Sequence, residues 1–444
     1  MVGQNIARTT WKRYTLRCMK PSSPKHDSWL ITNCAELVTV AGSAPRRGRN
    51  LREIGIIEDG ALLVHNGKIA AIGTRRHIEK LPAARRARKL DAGGRVVLPG
   101  FVDSHTHLVF PASRAVEYEM RIGGASYEEI GRAGGGIVSS VRLLRKAPAA
   151  ALESQARGWL DIMAAHGTTT VEAKSGYALN LAGELKILEV QKSLGRKQPL
   201  EIVSTFLGAH VPPPEYCDDP ATYIEKIART WLPRIVRAGL AEYCDVFCDR
   251  GAFTVDQARM LLTAAKKLGM GLRLHAEQLT NTGGGRLAVE LGAASADHLD
   301  QVTNQDIRIL AASDTVCTLL PGCSFHLGLR DYAPARKFVE AGAVIALATD
   351  FNPGTCPTPN MQMILSLACT QMRMTPAEAI AASTMNAAYS LGRHERIGSL
   401  ETGKDADLAI FDVADHREIP YHFGVNHCCL VMKRGIVLQS RGIV

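Results

Sequence analysis

Apolar and polar positions alternate in two rhythms along this chain. Near the amino end the apolar runs are short and strand-like. Trp29-Leu30-Ile31-Thr32 and Leu37-Val38-Thr39-Val40 precede an Arg-rich loop, and Ala61-Leu62-Leu63-Val64 and Lys68-Ile69-Ala70-Ala71-Ile72 flank Asn66-Gly67, a hairpin signature. Such strands need partners, and residues 406–411 and 429–438 read as strands again. The two ends, 29–97 and 396–444, are expected to build one small β-sandwich. Between them apolar runs at 97–102, 169–173, 202–207, 244–247, 272–274, 295–297, 316–320 and 344–348 alternate with amphipathic stretches near 182–195, 222–238, 255–268, 283–291, 304–312, 334–341 and 359–387. Apolar runs separated by helices are the pattern of parallel β/α units. Eight of them predict an α/β fold, a (β/α)8 TIM-like barrel over residues 98–395.

Several of these runs end in the residue types that bind metals. The first closes as Asp103-Ser104-His105-Thr106-His107. Side chains alternate faces in a strand, so His105 and His107 point into the same site. His275 closes the fifth run, His298 the sixth and Asp350 the eighth. In a barrel the carboxyl ends of the strands carry the chemistry, so these five residues are expected to converge on a metal site. An ion held by neutral imidazoles and a carboxylate polarises a carbonyl under attack and makes water a nucleophile near neutral pH. Two glycine-rich segments, Gly123-Gly124 to Gly134-Gly135-Gly136 and Gly283-Gly284-Gly285, match neither phosphate-binding pattern and are expected to form mobile loops or a lid.

Composition narrows the partners. The chain has 444 residues and a formal net charge of +10, but residues 1–50 hold nine Lys or Arg against Asp27 and Glu36, leaving +3 for the rest. That balance builds no basic stripe over a folded domain, so no nucleic acid partner is expected. No apolar run is long enough to span a bilayer, so no membrane partner is expected, and the reading is a cytoplasmic protein. Residues 1–28 are expected to be a disordered extension. The 11 cysteines are scattered without a C-x-x-C pair, which fits reduced thiols serving mostly as core filler.

Shorter motifs sharpen the chemistry. His105-Thr106-His107-Leu108-Val109-Phe110 with Arg114 downstream, Tyr127-Glu128-Glu129-Ile130, Ala133-Gly134-Gly135-Gly136-Ile137, Glu172-Ala173-Lys174-Ser175-Gly176-Tyr177, Phe206-Leu207-Gly208-Ala209-His210, His275-Ala276-Glu277-Gln278 and Asp350-Phe351-Asn352-Pro353-Gly354 together resemble the imidazolonepropionase family of the amidohydrolase superfamily, over residues 29–444. The resemblance implies hydrolysis of the ring amide of 4-imidazolone-5-propanoate to N-formimidoyl-L-glutamate, the third step of L-histidine degradation, on one Zn2+ or Fe3+ ion in a homodimer. His105, His107, His275 and Asp350 are assigned as metal ligands. His298 is assigned as an acid/base that orients the attacking water and shares a proton with Asp350, with a fifth ligand as its alternative role. Arg114 can fork onto the substrate's propionate. By resemblance Tyr177 touches the substrate, His210 holds the ring carbonyl, Gln278 faces a ring nitrogen, and Asn352, Gly354 and Thr355 line the eighth loop. Two-metal relatives use a carboxylated lysine on the fourth strand. Lys174 ends the second instead, which favours a single ion and leaves Lys174 a structural or electrostatic role.

Two alternatives share this frame. A mononuclear deaminase of a nucleobase or related heterocycle protonates its ring with a Glu at the position of Gln278, and an amide cannot give up that proton. A catalytically silent scaffold of the same fold typically lacks the metal ligands that this chain keeps.

Overall fold

The structure is a computed structural model and describes residues 28–126, 129, 130 and 133–441. The tail expected over 1–28 therefore lies outside the described residues except for Ser28, as do Tyr127 and Glu128 of the quoted motifs. The chain opens with β1 (Ser28–Val38), β2 (Ile56–His65), β3 (Lys68–Thr74) and β4 (Arg88–Pro99). The run at 29–32 and the first half of the run at 37–40 belong to one strand, which ends at Val38, with a register irregularity beside Asn33, whose φ is +59°.

Eight parallel strands follow: β5 (Phe101–Asp103), β6 (Thr168–Lys174), β7 (Glu201–Ala209), β8 (Tyr243–Cys248), β9 (Gly271–Ala276), β10 (Ser295–His298), β11 (Val316–Leu319) and β12 (Ile345–Leu347). They pair in sequence order. The first and last meet beyond their ends, where Thr106 bridges Phe351, His107 N donates to Phe351 O at 2.8 Å and Asp350 N donates to His105 O at 3.0 Å. The (β/α)8 barrel read from the eight apolar runs is thus present.

The apolar run at 97–102 is not one strand. Residues through Pro99 finish β4, and the chain passes to the barrel at Gly100, whose N–H donates to Asp407 O at 3.0 Å. A Cβ there would lie 2.2 Å from Thr169 Cγ2, so only glycine fits this crossing. Among the described residues, the first β/α connection holds three helices absent from the expected set, Ala115–Ile122, Gly136–Lys146 and Ala149–Ala165. The last of them buries Leu152, Ala156, Leu160 and Met163, and its many alanines blur the contrast between its faces. The stretch expected as one helix at 359–387 is divided into Met361–Met372, Pro376–Ser383 and the start of Met385–Ser390; Arg373, at φ +58°, and Pro376 interrupt it.

The chain ends with β13 (Leu408–Phe411), β14 (Cys428–Lys433) and β15 (Ile436–Ser440), which join β1–β4 in one hydrogen-bonded sheet of order β15-β14-β13-β4-β1-β2-β3. The sheet folds over on itself as a sandwich. Trp29 Nε1 donates to Gly435 O at 2.9 Å, and a Cβ on Gly67 would lie 2.8 Å from Arg434 O, so the two hairpin tips touch. Leu37, Leu62 and Val64 from one half share a core with Leu408, Leu430 and Met432 from the other. Phe411 packs on Phe101 with ring centroids 5.6 Å apart, and Lys433 Nζ reaches Thr170 Oγ1 at 3.2 Å. The sheet therefore sits under the starts of the barrel strands, leaving their far ends clear.

Candidate metal centre and active site

The carboxyl ends of the strands bring the five strand-end residues together. Asp103, at the end of β5, accepts from Thr349 N at 2.9 Å and Thr349 Oγ1 at 2.6 Å, which locks the segment after β5 against the segment after β12. This lock sets His105 and His107 opposite Asp350. His105 Nε2 stands 3.5 Å and His107 Nε2 3.6 Å from Asp350 Oδ1. His275 faces His105 with ring centroids 4.5 Å apart, and His298 stands 5.3 Å from His275 by the same measure. Potential ligand atoms of His105, His275 and His298 lie within 4.8 Å of one another, and so do those of His105, His107 and Asp350. His298 and Asp350 have φ of +79° and +54°, a left-handed backbone uncommon for side chains of this kind and typical of functional strand ends.

All five residues are buried. Burial holds His105, His107 and His298 well below the ordinary imidazole value, so they are neutral with a lone pair available. Burial also pushes the Asp350 carboxyl up to about 7. His105 Nε2 and His275 Nε2 find no hydrogen-bond partner among the described residues. Buried polar atoms left in this way are costly. A cation between them would satisfy the imidazoles and stabilise the carboxylate, so the donor set fits a metal ion.

Behind the histidines lie carboxylates that the sequence pattern did not reveal, gathered around Lys174, for which it left a structural or electrostatic role. His105 Nδ1 is 2.8 Å from Asp297 Oδ2, and His275 Nδ1 is 3.0 Å from Asp245 Oδ2. Lys174, fully buried, reaches Asp245 Oδ2 at 2.8 Å and Glu172 Oε1 at 2.9 Å. The available signal was a charged residue inside a strand expected to be buried on both faces, as in Cys244-Asp245-Val246.

The other expected site residues surround the cluster. His210 stacks on His107 with centroids 5.1 Å apart, its Nδ1 3.1 Å from Gly176 O; burial holds its ring down to about 3. Tyr177 lies edge-on to both rings, at 5.7 Å from His107 and 5.6 Å from His210. Gln278 Nε2 donates to Cys323 Sγ at 3.5 Å, and Cys323 has its sulfur close to His298 and Asp350. Asn352 Oδ1 accepts from Gly354 N at 2.8 Å and Thr355 N at 2.7 Å, which shapes the eighth loop. Arg114 is not an open fork: Glu117 Oε2 accepts from its Nε at 2.8 Å and its Nη2 at 2.5 Å. The remaining nitrogen, Nη1, lies against Gly354, where a Cβ would stand 2.3 Å from it.

The second glycine segment opens a helix, while part of the first lies outside the described residues. Gly284–Leu291 is a helix, and the Glu277 carboxylate accepts from the N–H groups of Gly283, Gly284 and Gly285 at 2.9, 2.7 and 2.8 Å. The helix start is thus filled by the chain's own anion. Gly134, Gly135 and Gly136 line a cavity of about 690 Å³ with Ile137, Arg145 and Pro214, and Gly136 begins a helix. Glu184 plays an unforeseen part at the substrate face, accepting from the N–H groups of Gly176, Ala178 and Leu179 at 2.7, 2.8 and 2.8 Å and so fixing the loop that carries Tyr177.

The model of the Amidohydrolase family matches residues 96–437. The imidazolonepropionase of Geobacillus kaustophilus is 46% identical over 421 residues, 93% of this chain and 98% of that protein. The imidazolonepropionase of Solibacter usitatus is 49% identical over 399 residues, 90% of this chain and 95% of that one. Among solved structures, atrazine chlorohydrolase from Arthrobacter aurescens TC1 complexed with zinc superposes with a TM-score of 0.71 at 18% identity, covering 93% of this chain and 95% of that one. An adenosine deaminase from Xanthomonas campestris with bound zinc gives 0.68 at 18% identity, covering 94% of each chain.

Proposed function

The chain belongs to the amidohydrolase family, among its imidazolonepropionases, and from that membership we propose that His105, His107, His275 and Asp350 hold one metal ion, Zn2+ or Fe3+, at which the ring amide of 4-imidazolone-5-propanoate is hydrolysed to N-formimidoyl-L-glutamate in L-histidine degradation. The observation that supports the ligand assignment is the approach of His105 Nε2 and His107 Nε2 to one Asp350 oxygen, beside the His275 ring, whose Nε2, like that of His105, has no partner among the described residues. When bound, the ion supplies Lewis acidity toward the ring carbonyl and toward water.

The protein's own groups divide the remaining work. His298, buried and neutral, is placed to accept a proton from the attacking water and return it to the ring nitrogen that leaves, with Asp350 as the second proton carrier. His210, stacked on His107, offers its Nε2 edge to the ring carbonyl, and Tyr177 closes the same side. Gln278 presents an amide to a ring nitrogen and cannot serve as the proton donor that a deaminase needs, which favours ring opening over amine displacement. The propionate is met by Arg114 Nη1 beside Gly354, with Asn352 and Thr355 in the same loop. A homodimer is the proposed assembly.

Elemental analysis of the purified protein tests the ligand reading. About one ion per chain, removed together with activity by a chelator, is expected for a mononuclear site; a metal-free protein of full activity would contradict it.

A further inference from the structure

We propose that Lys174 is the positioning residue of the metal centre, its ammonium fixing the carboxylates against which the ligand histidines set their rings. The proposal rests on the reading of His105 and His275 as ligands.

Each contact of Lys174 leads to a ligand. Its Nζ lies 2.8 Å from Asp245 Oδ2, and that same oxygen lies 3.0 Å from His275 Nδ1. It lies 3.6 Å from Asp297 Oδ2, which is 2.8 Å from His105 Nδ1. Its third neighbour is Glu172 Oε1 at 2.9 Å, and the other oxygen of Glu172 accepts from Thr106 N at 3.2 Å, between His105 and His107. Lys174 and the three carboxylates are completely buried and come from three barrel strands, β6, β8 and β10. An ammonium placed there without purpose would be costly, because buried charges need full compensation.

The geometry assigns a proton arrangement. The hydrogen bond between His105 Nδ1 and Asp297 keeps the proton on that nitrogen and leaves Nε2 with its lone pair toward the site; His275 Nδ1 faces Asp245 at ion-pair distance, and Nε2 of both rings lacks a partner among the described residues. Arg273 completes the cluster, 3.8 Å from both Glu172 and Asp297, and donates to Ser104 O at 2.9 Å just before His105. Lys174 and Arg273 face Glu172, Asp245 and Asp297, two positive charges against three negative, so one negative charge remains to be shared with the imidazoles. It raises their basicity as ligands while Lys174 prevents the carboxylates from repelling one another apart.

The test separates positioning from mere stability. Lys174→Met/Glu172→Gln removes one charge of each sign and keeps the cluster's net charge; Lys174→Gln/Glu172→Gln, which retains a hydrogen-bond donor, serves if the first does not fold. Metal affinity is measured by chelator competition, the Co2+-substituted protein by its visible spectrum, and the metal-free protein by near-ultraviolet circular dichroism. The expected result is a folded protein with about 10- to 100-fold weaker metal binding and an altered Co2+ spectrum, the range seen when a group orienting a metal ligand is lost. A folded variant with wild-type affinity and an unchanged spectrum overturns the proposal. Failure of the wild-type protein to bind metal is a different result, and it would overturn the ligand set instead.

Discussion

His107 Nε2 lies 3.6 Å from Asp350 Oδ1, so the first and last units of the barrel meet at a single carboxylate oxygen, which His105 Nε2 also approaches at 3.5 Å. Asp350→Ala and His275→Ala are therefore expected to lose both metal and turnover while the barrel still folds. Opening the coordination shell removes the ion, whereas the lock between Asp103 and Thr349 is untouched. Metal content and circular dichroism check this; near-native metal in either variant would contradict the ligand set.

Arg114 links substrate anchoring to the eighth loop. Losing a charge-assisted contact to the propionate costs about 1.5–3 kcal/mol, or roughly 10- to 150-fold in kcat/KM, so Arg114→Ala should fall by that factor with metal content unchanged. Gly354→Ala should act in the same direction, because its Cβ would displace Nη1. Steady-state kinetics with the propionate and with its amide separate the cases: both variants are expected to lose the preference of the wild type for the charged substrate.

Gly100 is where the terminal sheet hands the chain to the barrel. Gly100→Ala places a methyl group 2.2 Å from Thr169 Cγ2 and 2.5 Å from Thr169 Oγ1, an overpacking expected to cost about 1–3 kcal/mol. Denaturant unfolding measures the loss. Gly100→Ala/Thr169→Ala should recover part of it, and an unchanged midpoint for the single variant would show that the crossing has slack.

These residues also show what can be read from one dimension. His105, His107 and Asp350 were legible because apolar runs that close in metal-binding residue types are local features, visible without knowing which strands meet, although all three lie beyond the ends of β5 and β12 and not within them as strand alternation supposed. The barrel was legible for the same reason, as eight apolar runs. The break at Gly100 was not, since an apolar run says nothing of which sheet each half joins. Asp245, Asp297 and Glu172 escaped because a carboxylate in a strand acquires its meaning only from the lysine and histidines that other strands place beside it. Glu277 and Glu184 were hidden likewise, and the glycines bound by Glu277 read as freedom when the fold has used them to admit a carboxylate.

Glu201 at the start of β7 joins barrel and sheet, with Arg393 Nε at 2.9 Å, Arg396 Nη2 at 2.7 Å and Lys433 Nζ at 3.7 Å. Burial raises its carboxyl, but Lys433, Arg393 and Arg396 outweigh that and hold it below the usual glutamate value. As pH falls, the unfolded chain takes up this proton before the folded one, so the contribution is complete above about pH 4.3 and is lost through the lowered folded value. Thermal midpoints of wild type and Glu201→Gln should differ most near neutral pH and converge in acid. A gap that widens on acidification would contradict this sign.

Most direct for the central claim is turnover of freshly prepared 4-imidazolone-5-propanoate, followed by loss of ring absorbance and by mass spectrometry of the product. The metal-loaded protein is expected to form N-formimidoyl-L-glutamate, and the chelated protein to form it only after metal is restored. An intact ring after incubation with metal-loaded protein, or a product that has lost ammonia with the ring closed, would contradict the assignment.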